Sequence, residues 1–421
     1  MKRKLKKKVK ILLWIALFAV LTVVAVVAIK PNLNFDFEVK NKVSSKKKNK
    51  DNNEQWPKVT KISLVATGDG LLHNAVYMDA YNREKGSFNF APQLEMVKEE
   101  IKDFDIAYYN QETVFGGKQT ALFPKEDSMN IAGYSSYPYF NTPSEYGDAM
   151  VDAGFNMVSL ASNHSLDCTS KAKECILNTI DYWKGKDVIF DGFNPDSEHT
   201  NNYIIKEKNN IKYTMLNYTN TLNGLNGHLG NDTYLIDQYD EEKVKKDIAE
   251  VRDKVDVLIV AMHWHKDSAE YGTVATESNK QIARFLSDQG VDIVLGTYSH
   301  CLQPFEIIND KTVVFYSLGN FISNQGDLVD SIGYKGIVGV LASMDIVKTE
   351  EKDGTSSIKI ENLGADLTYT YNQNHHNYKV IPFSKMTSEY NPNYQKIFEE
   401  YKGVLTSLDT NIKIKEPGSG L

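Results

Sequence analysis

The chain has 421 residues, 41% apolar and 24% charged, which suits a globular protein of two or three domains, or one large domain with additions. That composition excludes general disorder, collagen and a multi-span membrane protein, and three cysteines are too few for a disulfide-framed scaffold. The net charge of −7 is uneven: residues 1–58 hold 15 Lys/Arg against 4 Asp/Glu, which leaves 33 against 51, so a segment of +11 precedes a body of −18. A body this acidic lacks the basic face that backbone phosphates demand, so no nucleic-acid partner is expected.

Residues 1–10 are basic almost throughout. Ile11–Ile29 follows with no charge and Thr22 as its polar interruption. At about 1.5 Å of rise per residue, this run nearly matches the ~30 Å hydrocarbon core. Basic flanks stay cytoplasmic. The expectation is a transmembrane signal anchor at 11–29, with residues after Lys30 outside the cell. A cleaved signal peptide is the other reading, but it needs a shorter apolar region and a small-x-small site. Residues 30–58 form a Lys/Asn-rich linker; Lys46, Lys47 and Lys48 repel one another and extend it. It reads as a solvated spacer, or as a segment lying along a wall or membrane polyanion. Cys168 and Cys175 are near enough in sequence to pair, although a single helix turn would hold them apart; the sequence leaves this open.

From Val59 on, short apolar runs alternate with helical patterns. Strands are expected at Ile62–Ala66, Ile106–Tyr109, Met157–Ala161, Val188–Phe190, Tyr213–Leu216, Val257–Met262, Ile293–Leu295 and Thr312–Tyr316. Near-continuous Val/Ile/Leu runs mark strands buried on both faces. Helices are expected at Gln93–Lys102, Lys171–Lys184 and Asn279–Gln289. The alternation argues for an α/β layered domain over 59–325. Residues 326–421 read as a β-rich extension, with strands at Ile337–Val347, Ser357–Leu363 and Tyr378–Pro382. A helix follows near Asn393–Leu408, and the last residues, Glu416–Leu421, look frayed.

Polar residues gather just after the strands, where α/β proteins build their sites. Five of the nine histidines stand there. Thr67-Gly68-Asp69-Gly70-Leu71-Leu72-His73 offers Asp69 as a metal ligand or as a helix cap, with His73 as ligand or neighbour. Asn110-Gln111-Glu112 places a carboxylate able to bridge two metals, or to pair with a surface Lys. Ser162-Asn163-His164-Ser165-Leu166-Asp167 offers an amide oxygen, an imidazole and a carboxylate able to orient it. His263-Trp264-His265 closes the most apolar strand. Its two histidines share a face if the strand continues, and part if it turns at Trp264. Gly296-Thr297-Tyr298-Ser299-His300 and Ser317-Leu318-Gly319-Asn320-Phe321 are two further strand exits. Each alone reads as a polar turn. Together they bring Asp, Glu, Asn and His from five strand ends of one domain, a donor set for one or two Mn, Fe or Zn ions. Two ions ~3.5–4 Å apart activate water or clamp an in-line displacement at phosphorus.

The motifs TGDGLLHNAVYMDA, NQET, FNTP, GFNMVSLASNHSLD, MHWH with Glu270-Tyr271 after it, GVDIVLGTYSHCLQP and VFYSLGNFIS run in order from Ile62 to Ser323. In this order the chain resembles the CapA family of capsule and poly-γ-glutamate synthesis proteins, within the calcineurin-like metallophosphoesterase superfamily. The resemblance implies a four-layer αββα sandwich with its site at the sheet edge. It implies Asp69 and His300 on one metal, Glu112 bridging, and Asn163 and His263 on the second. His164, oriented by Asp167, would face the substrate as acid or transition-state stabiliser. Asn110, His73, His265, Tyr298 and Asn320 are neighbours without an assigned role. Two departures stand out: Tyr298 occupies the first histidine of the family's Gly-x-His-Pro-His, and His265 follows Trp264 where the family has Gly. A phenol of pKa ~10 is a poor ligand at neutral pH. The resemblance implies a membrane-anchored envelope protein acting on, or guiding, an anionic polymer, with other synthase subunits as partners. An envelope phosphoesterase unrelated to polyglutamate is the third reading.

Overall fold

The computed structural model describes residues 56–420 apart from 121, 123–130, 201–202 and 266–269. The basic segment, the apolar run 11–29 and the linker up to residue 55 lie outside the described residues. Among those described, no helix is long and apolar enough to cross a membrane.

Two sheets organise the chain. The strands in order are β1 (Lys58–Gly70), a small hairpin of β2 (Tyr81–Asn82) and β3 (Ser87–Phe88), β4 (Ile106–Gln111), β5 (Met157–Ser159), β6 (Ile189–Asp191), β7 (Lys206–Lys208) and β8 (Ile211–Thr219). Then come β9 (Val257–His263), β10 (Ile293–Thr297), β11 (Phe305–Ile308), β12 (Thr312–Phe315) and β13 (Asn320–Ile322). The C-terminal part adds β14 (Val338–Glu350), β15 (Ser356–Gln373), β16 (His376–Pro382) and β17 (Lys413–Ile414). One sheet runs β16-β15-β14-β1-β4-β5-β6, with β13 on the end of β1 and β17 on β15; the other runs β11-β12-β10-β9-β8-β7. The strands β4, β9 and β10 are buried at every position, as parallel strands covered on both faces must be.

Alternate side chains of each strand separate three cores. Ile62, Leu64 and Tyr108 of the first sheet meet Met215, Ile259 and Leu295 of the second in one cluster between the sheets. Val65, Ala107 and Val158 face the other way, onto Leu94, Val97, Ile176 and Ile180 of the helices Ala91–Ile101 and Ala172–Lys184. Leu258, Val260 and Val294 pack outward on Val244, Ile248, Ile282 and Leu286 of the helices Glu241–Val251 and Glu277–Asp288. The order is helices, sheet, sheet, helices.

The C-terminal strands are not a separate layer. β14 pairs antiparallel with β1 from Lys58↔Glu350 to Ala66↔Ala342 and continues the first sheet. β15 runs ten residues past the end expected at Leu363, because Asn362 (φ +51) is not a turn but part of a bulge. Ser343↔Gly364 and Asp345↔Glu361 fit one extra residue in one strand, and pairing resumes beyond it. The expected fraying after Glu416 is also corrected. The Gly418 amide donates to Phe383 O at 3.2 Å and that of Gly420 to Ser384 O at 2.8 Å, so the tail is pinned. The helix Tyr394–Leu405 buries Ile397, Phe398, Tyr401 and Leu405 in the cluster between the sheets. The sequence reading missed the helices Asn74–Ala80, Glu145–Asp152 and Glu241–Val251. Cys168 and Cys175 are joined in a disulfide, and Cys301 is buried and free.

The carboxyl ends of parallel β1, β4 and β5 meet those of β9 and β10 along one edge. Two close approaches need glycine. A Cβ on Gly68 would stand 1.7 Å from Gly319 O, and one on Gly296 would stand 2.2 Å from Tyr316 O. The first contact lets the Asp69 amide donate to Gly319 O at 2.9 Å, which draws the start of β13 against the end of β1.

Candidate metal centre

Register puts a polar row across the first sheet. Asp69 pairs with Asn320 on one side and Asn110 on the other, and Asn110 pairs with Ser159. Asn110 Nδ2 donates to Asp69 Oδ1 at 2.7 Å, and its own Oδ1 accepts from Ser159 Oγ at 2.6 Å. The Asp69 carboxylate is thereby held on one oxygen, and its other oxygen is turned outward.

That outward oxygen and both oxygens of Glu112 are buried without a hydrogen-bond partner. Three orphaned carboxylate oxygens in one place carry a large desolvation cost unless a cation meets them. His300 completes the group. Its Nδ1 stands 3.5 Å from Asp69 Oδ2 and 3.6 Å from Glu112 Oε2. Donor atoms of Asp69, Glu112 and His300 all lie within 4.8 Å of one another. An ion with bonds of about 2.0–2.2 Å fits such a group. Burial raises the Glu112 carboxyl above its ordinary range; the His300 charge offsets this in part and Asp69 adds to it. Burial alone would lower His300, but the charges of Glu112 and Asp69 outweigh it and raise its pKa. In the metal-free protein the cluster therefore holds protons that an ion must displace.

Glu112 also faces a second group. His263 Nε2 is 3.8 Å from Glu112 Oε1 and 3.0 Å from Asn163 Oδ1. Its Nδ1 is 2.9 Å from Thr297 Oγ1, a partner the sequence reading did not name. Burial pushes His263 down to about 3, so it is the neutral imidazole a metal requires. β9 ends at His263, and His265 beyond it is exposed, its amide donating to Asn220 Oδ1 at 2.6 Å. The Tyr298 ring lies 5.5 Å from that of His263 and 4.5 Å from that of His265. Its phenol is pushed well above the ordinary range, by burial first and by Glu270 and Glu112 next. Tyr298 thus stands beside the second group in a form ill suited to ligation.

His164 and Asp167 are a buried pair. His164 Nδ1 is 2.7 Å from Asp167 Oδ2, which also accepts from the Phe140 amide at 2.6 Å. His164 Nε2 remains for the cavity, 3.9 Å from Glu112 Oε1. Burial opposes its charge, yet Asp167 outweighs this and raises its pKa. Asp167 is itself raised, by burial against the pull of His164. Phe140 packs edgewise on His164 at 4.8 Å and on His73 at 5.3 Å. His73 lies outside the carboxylate group. Its Nδ1 is 3.1 Å from both Leu71 O and the Asn324 amide, and burial pushes it down to about 3. Above these groups opens a cavity of about 710 Å³, floored by His164 and His300 and walled by Tyr137, Tyr139, Tyr271 and Tyr298.

Residues 63–325 match the family model described as bacterial capsule synthesis protein PGA_cap. The chain belongs to this family. It is 26% identical over 209 residues to a capsule biosynthesis protein CapA of Bacillus anthracis, covering 48% of each chain. It is 28% identical over 189 residues to the PGA biosynthesis protein CapA of Bacillus subtilis, covering 45% of this chain and 48% of that one. The match thus spans about half the length of these curated relatives. A solved structure described as a 5′-nucleotidase from Staphylococcus aureus superposes with a TM-score of 0.39 at 11% identity, over 81% of this chain and 58% of that one. That likeness is too loose to carry an argument.

Proposed function

We propose that this is a membrane-anchored extracellular protein of capsule or poly-γ-glutamate assembly, built around a divalent-metal site of hydrolase type. The observation that carries the site is the set of three orphaned carboxylate oxygens beside His300, under the His164–Asp167 pair. Asp69, Glu112 and His300 hold the first ion; Glu112, Asn163 and His263 offer donors for a second. Mixed carboxylate, imidazole and amide donors suit Mn, Fe or Zn. When bound, such an ion supplies Lewis-acid polarisation and a lowered pKa for water. Asn110 holds Asp69, Asp167 orients His164, and His164 presents Nε2 to the cavity as proton donor. Metal analysis of the purified protein tests the reading: at least one equivalent is expected, and none would refute it.

The polymer assignment rests on family membership and on the names of the relatives. It meets one physical constraint. No Lys or Arg is among the described residues lining the cavity, and the body carries −18. An anionic chain would therefore engage the site through the metals and imidazoles, not through a basic groove.

Residues 11–29 are proposed to span the membrane with the body outside. Protease added to intact cells should digest the body; complete protection would refute this orientation.

Tyr298 favours a second reading, in which the protein holds or guides polymer without turnover. Tyr298→His tests it. Imidazole binds these metals without a costly deprotonation, so the variant should rise from one bound ion toward two, or bind the second more tightly. Identical titrations of wild type and variant would show that Tyr298 stands in for no ligand.

A further inference from the structure

Asn320 has more to do than close a strand. It is 1% exposed and stands in register with Asp69. Its Nδ2 faces three acceptors: Ser323 Oγ at 3.1 Å, Gln325 Oε1 at 2.7 Å and Gly336 O at 2.7 Å. The Gly336 carbonyl can only accept, which settles that this end of the amide is nitrogen, so Oδ1 turns the other way. There it meets His300 Nδ1 at 3.2 Å.

That nitrogen is the one that faces the carboxylates. A metal with bonds of about 2.0–2.2 Å keeps its donors about 3.0–3.5 Å apart. The separation of Asn320 Oδ1 from His300 Nδ1 falls in this range, beside the 3.5 and 3.6 Å from the same nitrogen to Asp69 and Glu112. Hydrogen-bond bookkeeping points the same way. Once Nδ1 gives its lone pair to a metal, it has no proton left for Asn320. The amide oxygen would then be buried without a donor unless it faced the cation too.

We propose that Asn320 is a direct ligand of the first metal, through Oδ1, making the donor set Asp69, Glu112, His300 and Asn320. The inference rests on the metal reading above and adds to it an amide oxygen delivered by the Ser317–Phe321 turn. The polar row across β13, β1 and β4 then has a division of labour: Asn110 donates to the Asp69 carboxylate from one side, and Asn320 joins it on the ion from the other.

The test uses the full-length protein, stripped with chelator and titrated with Co(II). Wild type should bind; if it does not, the metal reading itself has failed. Asn320→Ala should weaken cobalt binding at least about tenfold, the loss typical when support for a metal site is removed. Asn320→Asp, which keeps an oxygen at the same reach, should stay within a few-fold of wild type. Asn320→Cys should show a thiolate-to-cobalt charge-transfer band in the near ultraviolet, absent from wild type and from Asn320→Ala. That band arises only inside the coordination sphere, so a role limited to holding the His300 ring would not produce it. Unchanged affinity in Asn320→Ala, or cobalt bound to Asn320→Cys without the band, would overturn the proposal.

Discussion

Glu112→Gln is expected to abolish high-affinity metal binding while leaving the metal-free fold intact. Glu112 is the one carboxylate that faces both groups: Oε2 lies 3.6 Å from His300 Nδ1, and Oε1 lies 3.8 Å from His263 Nε2. Gln removes the charge and turns one of these oxygens into an N–H donor, which repels a cation. Removing outer support for a metal ligand costs about 10–100-fold in affinity, so losing the shared ligand should cost more than about 100-fold. The fold should not suffer, because neither Glu112 oxygen has a hydrogen-bond partner to lose. In wild type, metal at about 100 times its Kd should stabilise the protein by about 2.7 kcal/mol; in the variant that gain should vanish. Calorimetric titration and thermal melts with and without Mn or Zn check both halves. An unchanged metal-induced shift would remove Glu112 from the centre. The wild-type affinity should also rise with pH. Burial raises Glu112, and the carboxylates outweigh burial to raise His300. At lower pH both hold protons that the ion must displace.

The residues that gather at this centre were legible as strand exits, for a physical reason. A strand buried on both faces reads as an apolar run, so a polar residue at its end must be either capped or used. Asp69, Glu112, Asn163, His263 and His300 all stand at such ends, and the division of ligands among them came from the resemblance; the structure brings Asp69, Glu112 and His300 within 4.8 Å of one another. Asn110 and Asn320 were visible only as neighbours, because their roles depend on register between β4, β1 and β13, which no local pattern encodes. Thr297 was missed because a threonine ending a strand is ordinary; only the contact with His263 distinguishes it. The question at Trp264 was likewise undecidable from alternation. The strand ends at His263, and His265 beyond it is exposed with its ring against that of Tyr298. In the fold, the helices Asn74–Ala80, Glu145–Asp152 and Glu241–Val251 went unread. The first two are only 7 and 8 residues long, and short helices gain their stability from packing and not from propensity. β15 was cut at Leu363 because Gly364 follows it and glycine resembles a strand end, whereas pairing with β14 on both sides makes this point a bulge.

His164→Ala should abolish turnover and leave metal content unchanged. The side chain is buried, its Nδ1 is committed to Asp167 at 2.7 Å, and only Nε2 is left to meet a substrate. It stands 3.9 Å from Glu112 but outside the Asp69, Glu112 and His300 group. A proton donor in such a place is worth roughly 10²–10⁴ in rate. Hydrolysis of bis(p-nitrophenyl) phosphate by the Mn-loaded protein is a suitable generic assay, because it asks for no polymer-specific contact. Asp167→Asn separates orientation from donation. Asp167 raises the pKa of His164 against the effect of burial, so without its charge the imidazole loses its proton at lower pH. Activity that needs a protonated His164 would then fall away at lower pH on the alkaline side, with the acid limb unmoved. If His164→Ala lost metal, the residue would belong to the ligand set. If it kept both metal and rate, the pair would be structural, and the cavity would be left as a binding site only.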